Sequence, residues 1–337
     1  MDTQIFATIG PACGTENIRK EMSEAGMTGM RLNLSHATLV ESKPYIDAYR
    51  NAAFRSGHVP QLLIDMQGPE LRIGKLASSL ELKEGEIVRL YSLQEIVVVG
   101  ADAPEIEIQH SVLRLLQVGD EVLMDDGKIH VKTIEAKDQY AYVQVLRGGT
   151  LRSHKSIKIV NKDVDMPVLT AHDLANLSLA KEYGVTALMQ PFVRCGDDID
   201  KVREWLDKNN AKDIQIYAKI ENRLGVAKCE EIIPKADVIV IARGDLGNDM
   251  PLWELPKVQK EIENACKRHN KPYIVVTQML ASMEHSPVPT RAEVSDIFHA
   301  VYHGAWGVMV TGETAVGEYP VEVIRYLTNT AKTAYEE

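Results

Sequence analysis

Lys219 and Glu221 lie two residues apart at the end of the apolar run Tyr217-Ala218-Lys219-Ile220, and Arg243 and Asp245 share that spacing after Val238 to Ala242. Side chains two apart on a strand point to the same face. Each pair would therefore present its charges together, and the two runs would bring a lysine and two carboxylates, Glu221 and Asp245, to one place. Hard carboxylate oxygens beside a cation suit Mg²⁺, which keeps several waters and shares its coordination with substrate oxygens. The chemistry indicated is metal-assisted handling of a phosphate or carboxylate. Buried ion pairs in a barrel core would use the same residue types, although charges that follow apolar strands are costly unless paired or ligated.

Five further pieces carry polar groups at the ends of strand-like runs: Thr8-Ile-Gly-Pro-Ala12, Arg31-Leu-Asn33-Leu-Ser35-His36, Asp65-Met66-Gln67-Gly-Pro-Glu70-Leu-Arg72, Thr277-Gln-Met-Leu280 and Thr311-Gly-Glu313-Thr-Ala315. Each has a plain structural alternative. Asn33 and Ser35 could satisfy backbone groups after a strand, His36 could start a helix, and Arg72 could pair with Glu70. Lys155 could be a solvated charge, Thr277 could bond its own loop, and Gly10-Pro11 reads as a rigid turn.

The elements that must position these groups alternate short apolar runs with amphipathic helices, the pattern of a parallel βα architecture. The runs are Gln4 to Thr8, Met30 to Leu34, Gln61 to Met66, Thr186 to Gln190, Ile214 to Ile220, Val238 to Ala242, Tyr273 to Thr277 and Gly307 to Thr311. They predict a (β/α)₈ TIM barrel. Thr170 and Asp173 open one helix that Gly184 closes, Thr290-Arg-Ala-Glu293 forms a capping box, and Val321 to Tyr335 supplies the last helix. Between Arg72 and Ile159 helical periodicity gives way to strand-like pieces at Ile87 to Leu90, Glu95 to Val99, Glu121 to Met124 and Tyr140 to Leu146, with turns at Asp125-Asp126-Gly127 and Gly148-Gly149. The division expected is a barrel of residues 1–72 and 160–337 with a small β-barrel-like lid of residues 73–159 inserted after the third strand. Such an insert would emerge where barrel active sites lie.

The 337 residues suffice for one barrel with an insertion, and 45% hydrophobic with 26% charged residues is ordinary globular composition. A net charge of −10 argues against general binding to nucleic acid or anionic membrane. Cys13, Cys195, Cys229 and Cys266 lack the spacing of a zinc site or a disulfide framework. The chain opens directly on a strand and holds no apolar run near the ~20 residues of a membrane span, so a cytoplasmic protein is expected.

Taken in order, the seven pieces resemble pyruvate kinase from about residue 3 to the end of the chain. The resemblance implies phosphoryl transfer from phosphoenolpyruvate to ADP, giving pyruvate and ATP. Glu221 and Asp245 match the Mg²⁺ (or Mn²⁺) ligands, Lys219 the lysine that stabilises the phosphoryl group in flight, and Arg31 the arginine that holds it. Amides around Gly244 and Asp245, with the Thr277 hydroxyl, match the substrate-carboxylate site, and Thr277 lies where the family protonates the enolate carbon through water. Asn33, Ser35, Asp65 and the Met66 carbonyl match the K⁺ site. Asn33 again, with His36, Arg72 and Lys155, matches the nucleotide side. Two copies could pair through barrel helices.

The chain also departs from the family pattern. No carboxy-terminal domain follows the last barrel helix, so effector control through that domain is not expected. Met66 and Ile73 stand where threonine is usual and Gln67 where K⁺-dependent members have lysine, whereas Glu70 keeps the K⁺-dependent type. Pro191 and Thr311 replace serines near the presumed substrate, and His154 and Lys158 to Asn161 differ from the usual exit of the insert. Activity that depends on K⁺ is the expectation. The alternatives are a Mg²⁺-dependent lyase acting on pyruvate or oxaloacetate and a binding protein without turnover.

Overall fold

The computed structural model describes residues 3–55, 59–93, 103–125, 127–162 and 164–335. Eight parallel strands close into a barrel: β1 (Gln4–Thr8), β2 (Gly29–Asn33), β3 (Gln61–Asp65), β4 (Ala187–Gln190), β5 (Gln215–Ile220), β6 (Val238–Ala242), β7 (Tyr273–Val276) and β8 (Gly307–Val310). Each is followed by helical structure, and β8 pairs with β1 to close the ring. The eight expected runs are these strands, each end falling within one residue of its expected place. Local chemistry starts the helices between them. Thr170 and Thr290 each form a capping box, with Asp173 and Glu293, at the heads of helices Ala171–Ala180 and Arg291–Tyr302. The last helix runs Pro320–Thr333.

Alternation along the strands decides what enters the barrel. Phe6, Leu63, Met189, Tyr217, Val240, Ile274 and Met309 fill its interior as a core separate from the larger one between strands and helices. Phe6, Tyr217 and Trp306 pack together with ring centroids 6.0–6.5 Å apart. Gly29 makes room for this cluster, because a Cβ there would lie 2.4 Å from the Phe6 ring. Two residues further along the same strands, at their carboxyl ends, stand Thr8, Asp65 and Lys219. The period of two that builds an apolar floor thus builds a polar and charged layer above it.

Residues Pro69–Pro167 form a second compact unit, the first being Met1–Gly68 with Val168–Glu337. It contains a six-stranded sheet in the order Ile157–Ile159, Glu121–Met124, Ile129–Ala136, Tyr140–Arg147, Ile87–Tyr91 and Glu105–Glu107, with a two-stranded sheet of Leu80–Leu82 and Gly149–Leu151. Leu71, Val164 and Met166 pack on its core, and for that reason the unit extends past the first and last strands. The strand expected at Glu95 to Val99 lies outside the described residues. The turn expected at Asp125 is present, with Lys128 N–H donating to Asp125 O at 3.1 Å.

Gly148-Gly149 is not a turn. Gly149 opens the strand that pairs with Leu80–Leu82, and Gly148 passes so close to that strand that a Cβ would lie 2.0 Å from the Leu82 carbonyl oxygen. Glycine is required there for backbone approach rather than for chain reversal. Gly148→Ala should cost about 1–3 kcal/mol, confined to this unit. Faster amide exchange at Leu80–Leu82, with an unchanged unfolding midpoint by tryptophan fluorescence, would show it, since Trp205, Trp253 and Trp306 all belong to the barrel.

Candidate active site

Arg31, Asp65, Lys219 and Glu221 come together at the carboxyl ends of β2, β3 and β5. Arg31 donates through Nε and Nη2 to Asp65 Oδ2 at 3.1 and 2.5 Å, and through Nη1 to Thr8 Oγ1 at 2.8 Å. Thr8 in turn donates to Val310 O at 3.0 Å. The Lys219 ammonium lies 3.4 Å from Asp65 Oδ1 and 3.1 Å from Glu221 Oε2. Glu221 Oε1 accepts the Phe192 N–H at 2.6 Å. All four side chains are nearly removed from solvent.

Two carboxylates thus share one ammonium, and the shares are unequal. Burial alone would raise the Asp65 carboxyl, but Lys219 and Arg31 together hold it below its usual range. Burial opposes the charge on Lys219 too, yet Asp65, Glu221 and Asp245 raise its pKa above the ordinary value. Glu221 is left under-compensated: burial first, and then the Asp245 carboxylate, push it up to about 8 against the pull of Lys219. Its Oε2 meets the Lys219 ammonium as an ion pair but accepts no well-aligned hydrogen bond among the described residues. A hard cation against Glu221 Oε2, with Asp245 near enough to act on the same charge, would supply that compensation, so the donor set fits a divalent metal. Among the described residues no three or more His, Cys, Asp or Glu side chains are grouped to hold a metal by themselves. The remaining ligands would therefore be water and substrate, as Mg²⁺ prefers.

A pH dependence follows. Metal and proton compete for Glu221, so Mg²⁺ affinity should climb toward tenfold per pH unit (roughly) below about 8 and level off above it. In the metal-free protein the sign reverses. A carboxyl with its folded pKa raised from 4.5 contributes stability that is fully present below 4.5 and lost as pH rises through about 8. Calorimetric Mg²⁺ titrations at pH 6, 7 and about 8.5 check the first statement; affinity that ignores pH would refute it.

Arg243 and Asp245 do not extend a strand. β6 ends at Ala242, and Arg243–Asp249 is a short helix, so the shared-face argument fails for this pair. Arg243 turns away to Asp296, at 2.9 and 2.7 Å, and to Thr277 O at 2.8 Å. Asp245 lies exposed in the first turn of that helix, and its charge acts on both Lys219 and Glu221. Gly244 faces Thr277, whose Cγ2 and Oγ1 would lie 3.6 Å from a Cβ at residue 244. Thr277 and Gln278 are both left-handed, at φ 72° and 54°, and Thr277 donates to Val276 O at 2.6 Å. A β-branched residue in that region is strained backbone, which the surrounding structure must impose.

Asn33 is the register partner of Asp65 and accepts the Ser35 N–H at 3.1 Å, the local bond anticipated for it. Met66 turns its side chain into the outer barrel core, so that only its carbonyl is available to a cation. His36 is exposed in a turn rather than at a helix start. Within the inserted unit, Arg72 pairs with Glu70 at 2.6 and 2.9 Å and donates to His154 O at 2.8 Å, while Lys155 pairs with Asp125 at 2.9 Å. All four cysteines are free, and burial pushes the Cys266 thiol up to about 12, leaving it no role as a nucleophile.

Several working residues were not assigned roles by sequence reasoning. Glu313 is buried and accepts from Leu280 N at 3.2 Å and Thr311 N at 2.6 Å, joining the exits of β7 and β8. Thr314 donates to Thr8 O at 2.8 Å, joining β8 to β1. The piece Thr311-Gly-Glu313-Thr-Ala315 stood out in the sequence, but nothing in its spacing tells which backbone groups it holds.

A closed parallel barrel with charge gathered at the carboxyl ends of its strands belongs to the (β/α)₈ enzyme class. The family model for the barrel domain of pyruvate kinase matches residues 1–324. Pyruvate kinase from Geobacillus stearothermophilus is 38% identical over 327 residues, covering 96% of this chain and 55% of that protein. Pyruvate kinase from Chlamydia trachomatis serovar D is 36% identical over 325 residues, covering 96% of this chain and 66% of that protein. The chain belongs to the pyruvate kinase family and carries its barrel domain. It spans 55% of the length of the first of these relatives and 66% of the second. No described helix is long and apolar enough to cross a membrane.

Proposed function

We propose that the chain transfers the phosphoryl group of phosphoenolpyruvate to ADP, forming pyruvate and ATP as in glycolysis. The observation that carries this reading is the Arg31–Asp65–Lys219–Glu221 array. A phosphoryl group in transit spreads negative charge over its oxygens, and fixed cations stabilise it without reorganising. Arg31 and Lys219 are both anchored on Asp65, so their charges are already in place before substrate arrives. Glu221 and Asp245 would hold Mg²⁺ or Mn²⁺, which when bound supplies Lewis-acid stabilisation of the substrate oxygens. Amides at Gly244 and Asp245, with the Thr277 hydroxyl, receive the substrate carboxylate, and Thr277 guides the proton delivered to carbon. His36, Arg72 and Lys155, with Asn33, are assigned to the nucleotide on sequence correspondence.

For K⁺ the proposed ligands are Asn33, Ser35, Asp65 and the Met66 carbonyl. Met66 and Ile73 both bury their side chains in hydrophobic cores, so their exchange for threonine does not touch those ligands. Glu70 then supports K⁺ activation, with Gln67 as the one remaining departure. No observation favours the lyase or the non-catalytic binding protein.

The test is pyruvate formation from phosphoenolpyruvate and ADP with Mg²⁺, with and without K⁺. Metal-dependent turnover that K⁺ raises is expected. Equal rates without K⁺ remove the monovalent site, and a protein that binds Mg²⁺ but forms no pyruvate with any nucleoside diphosphate overturns the assignment.

A further inference from the structure

Pro191 and Phe192 leave β4 in a bend, at which Phe192 adopts φ 53°. The proline ring fixes the dihedral just before this residue. Glycine or asparagine normally takes a left-handed place, so an aromatic residue there needs external support. The bend delivers the Phe192 N–H to Glu221 Oε1 at 2.6 Å, which leaves Oε2 as the oxygen presented to Lys219.

Two contacts hold the bend in place. Gly68, at the exit of β3, presses on Pro191 so closely that a Cβ would lie 2.3 Å from Pro191 Cγ. Asn222, next to Glu221, uses both ends of its amide. Its Oδ1 accepts the Gly225 N–H at 2.7 Å and caps helix Arg223–Ala227, while its Nδ2 donates to Val193 O at 3.1 Å. The residue after a candidate metal ligand thereby grips the residue after the amide that orients that ligand.

We propose that Asn222 and Pro191 are positioning residues which fix the Phe192 amide against Glu221 Oε1 and so set the affinity of the site for a divalent cation. The inference rests on the reading that Glu221 helps to hold Mg²⁺. An outer partner that orients a metal ligand is typically worth about 10–100-fold in affinity. Pro191 stands where serine is usual in the resembled family, so the bend is stiffer in this chain than the family pattern requires.

Mg²⁺ alone, titrated calorimetrically into the full chain, tests this with wild type, Asn222→Ser and Pro191→Ala. Serine keeps a good N-cap acceptor but has no amide to donate to Val193. The expected result is a Kd weakened about tenfold in Asn222→Ser and by a smaller factor in Pro191→Ala, with melting temperatures within about 3 °C of wild type. Binding within about twofold of wild type in both variants, whether or not they melt earlier, overturns the proposal. Should Asn222→Ser fail to fold, Pro191→Ala carries the test alone. Wild-type protein that binds no Mg²⁺ overturns the metal reading itself, and that outcome is separate from one in which wild type binds and the variants match it.

Discussion

Lys219→Met lowers turnover at saturating substrate and Mg²⁺ by about 10³-fold, or ~4 kcal/mol of barrier, while the barrel stays folded. Methionine matches the length and apolar stem of lysine, so the interior packing around Tyr217 is kept. What is lost is a full positive charge at a largely buried position, where a fixed cation is worth more than in water. A second effect accompanies it. Glu221, already pushed up to about 8, loses the one cation that pulls it down and stays protonated further into the alkaline range. Mg²⁺ affinity therefore falls as well, and the kinetic measurement must be made across a metal titration to separate the two. Turnover within about tenfold of wild type at saturating metal would refute the role given to Lys219.

Asp65→Asn is the more damaging change for the fold. Asp65 is the one carboxylate that faces both Arg31 and Lys219, at 2.5 and 3.4 Å. Neutralising it leaves two buried cations beside each other, with Glu221 and the more distant charge of Asp245 acting on Lys219 alone. Removing one partner from a buried ion pair costs about 3–5 kcal/mol, and asparagine still occupies the space, so the loss is electrostatic rather than a cavity. The unfolding free energy from urea titration followed by tryptophan fluorescence should fall by that amount, because every tryptophan lies in the barrel. Turnover should drop too, since Arg31 and Lys219 lose their common anchor. A destabilisation below about 1 kcal/mol, the worth of an exposed pair, would mean that the two cations are compensated elsewhere.

Much of this arrangement follows from rules that act over a few residues. Strand alternation carried one residue past the end of β5 keeps Lys219 and Glu221 on one side, and the capping boxes at Thr170 and Thr290 are complete within four residues. The eight apolar runs, the barrel they imply, and the site of the insertion were legible for the same reason. Periodicity does not report where a strand gives way to a helix, and so Arg243 and Asp245 were placed on the wrong element. The three-residue strands of the insert, such as Leu80–Leu82, are too short to show alternation at all.

By itself, then, the sequence determined the parallel barrel, the residues that end its strands and the family they resemble, because those signals are local and repeat with fixed periods. Tertiary structure alone decided the partners. Closure of the ring brings Arg31 of β2 and Lys219 of β5 onto Asp65 of β3, the bend after β4 lends its amide to Glu221, and Arg243 is drawn off to Asp296. These contacts join residues far apart in the chain, and their energies depend on burial that no single segment possesses before the barrel closes.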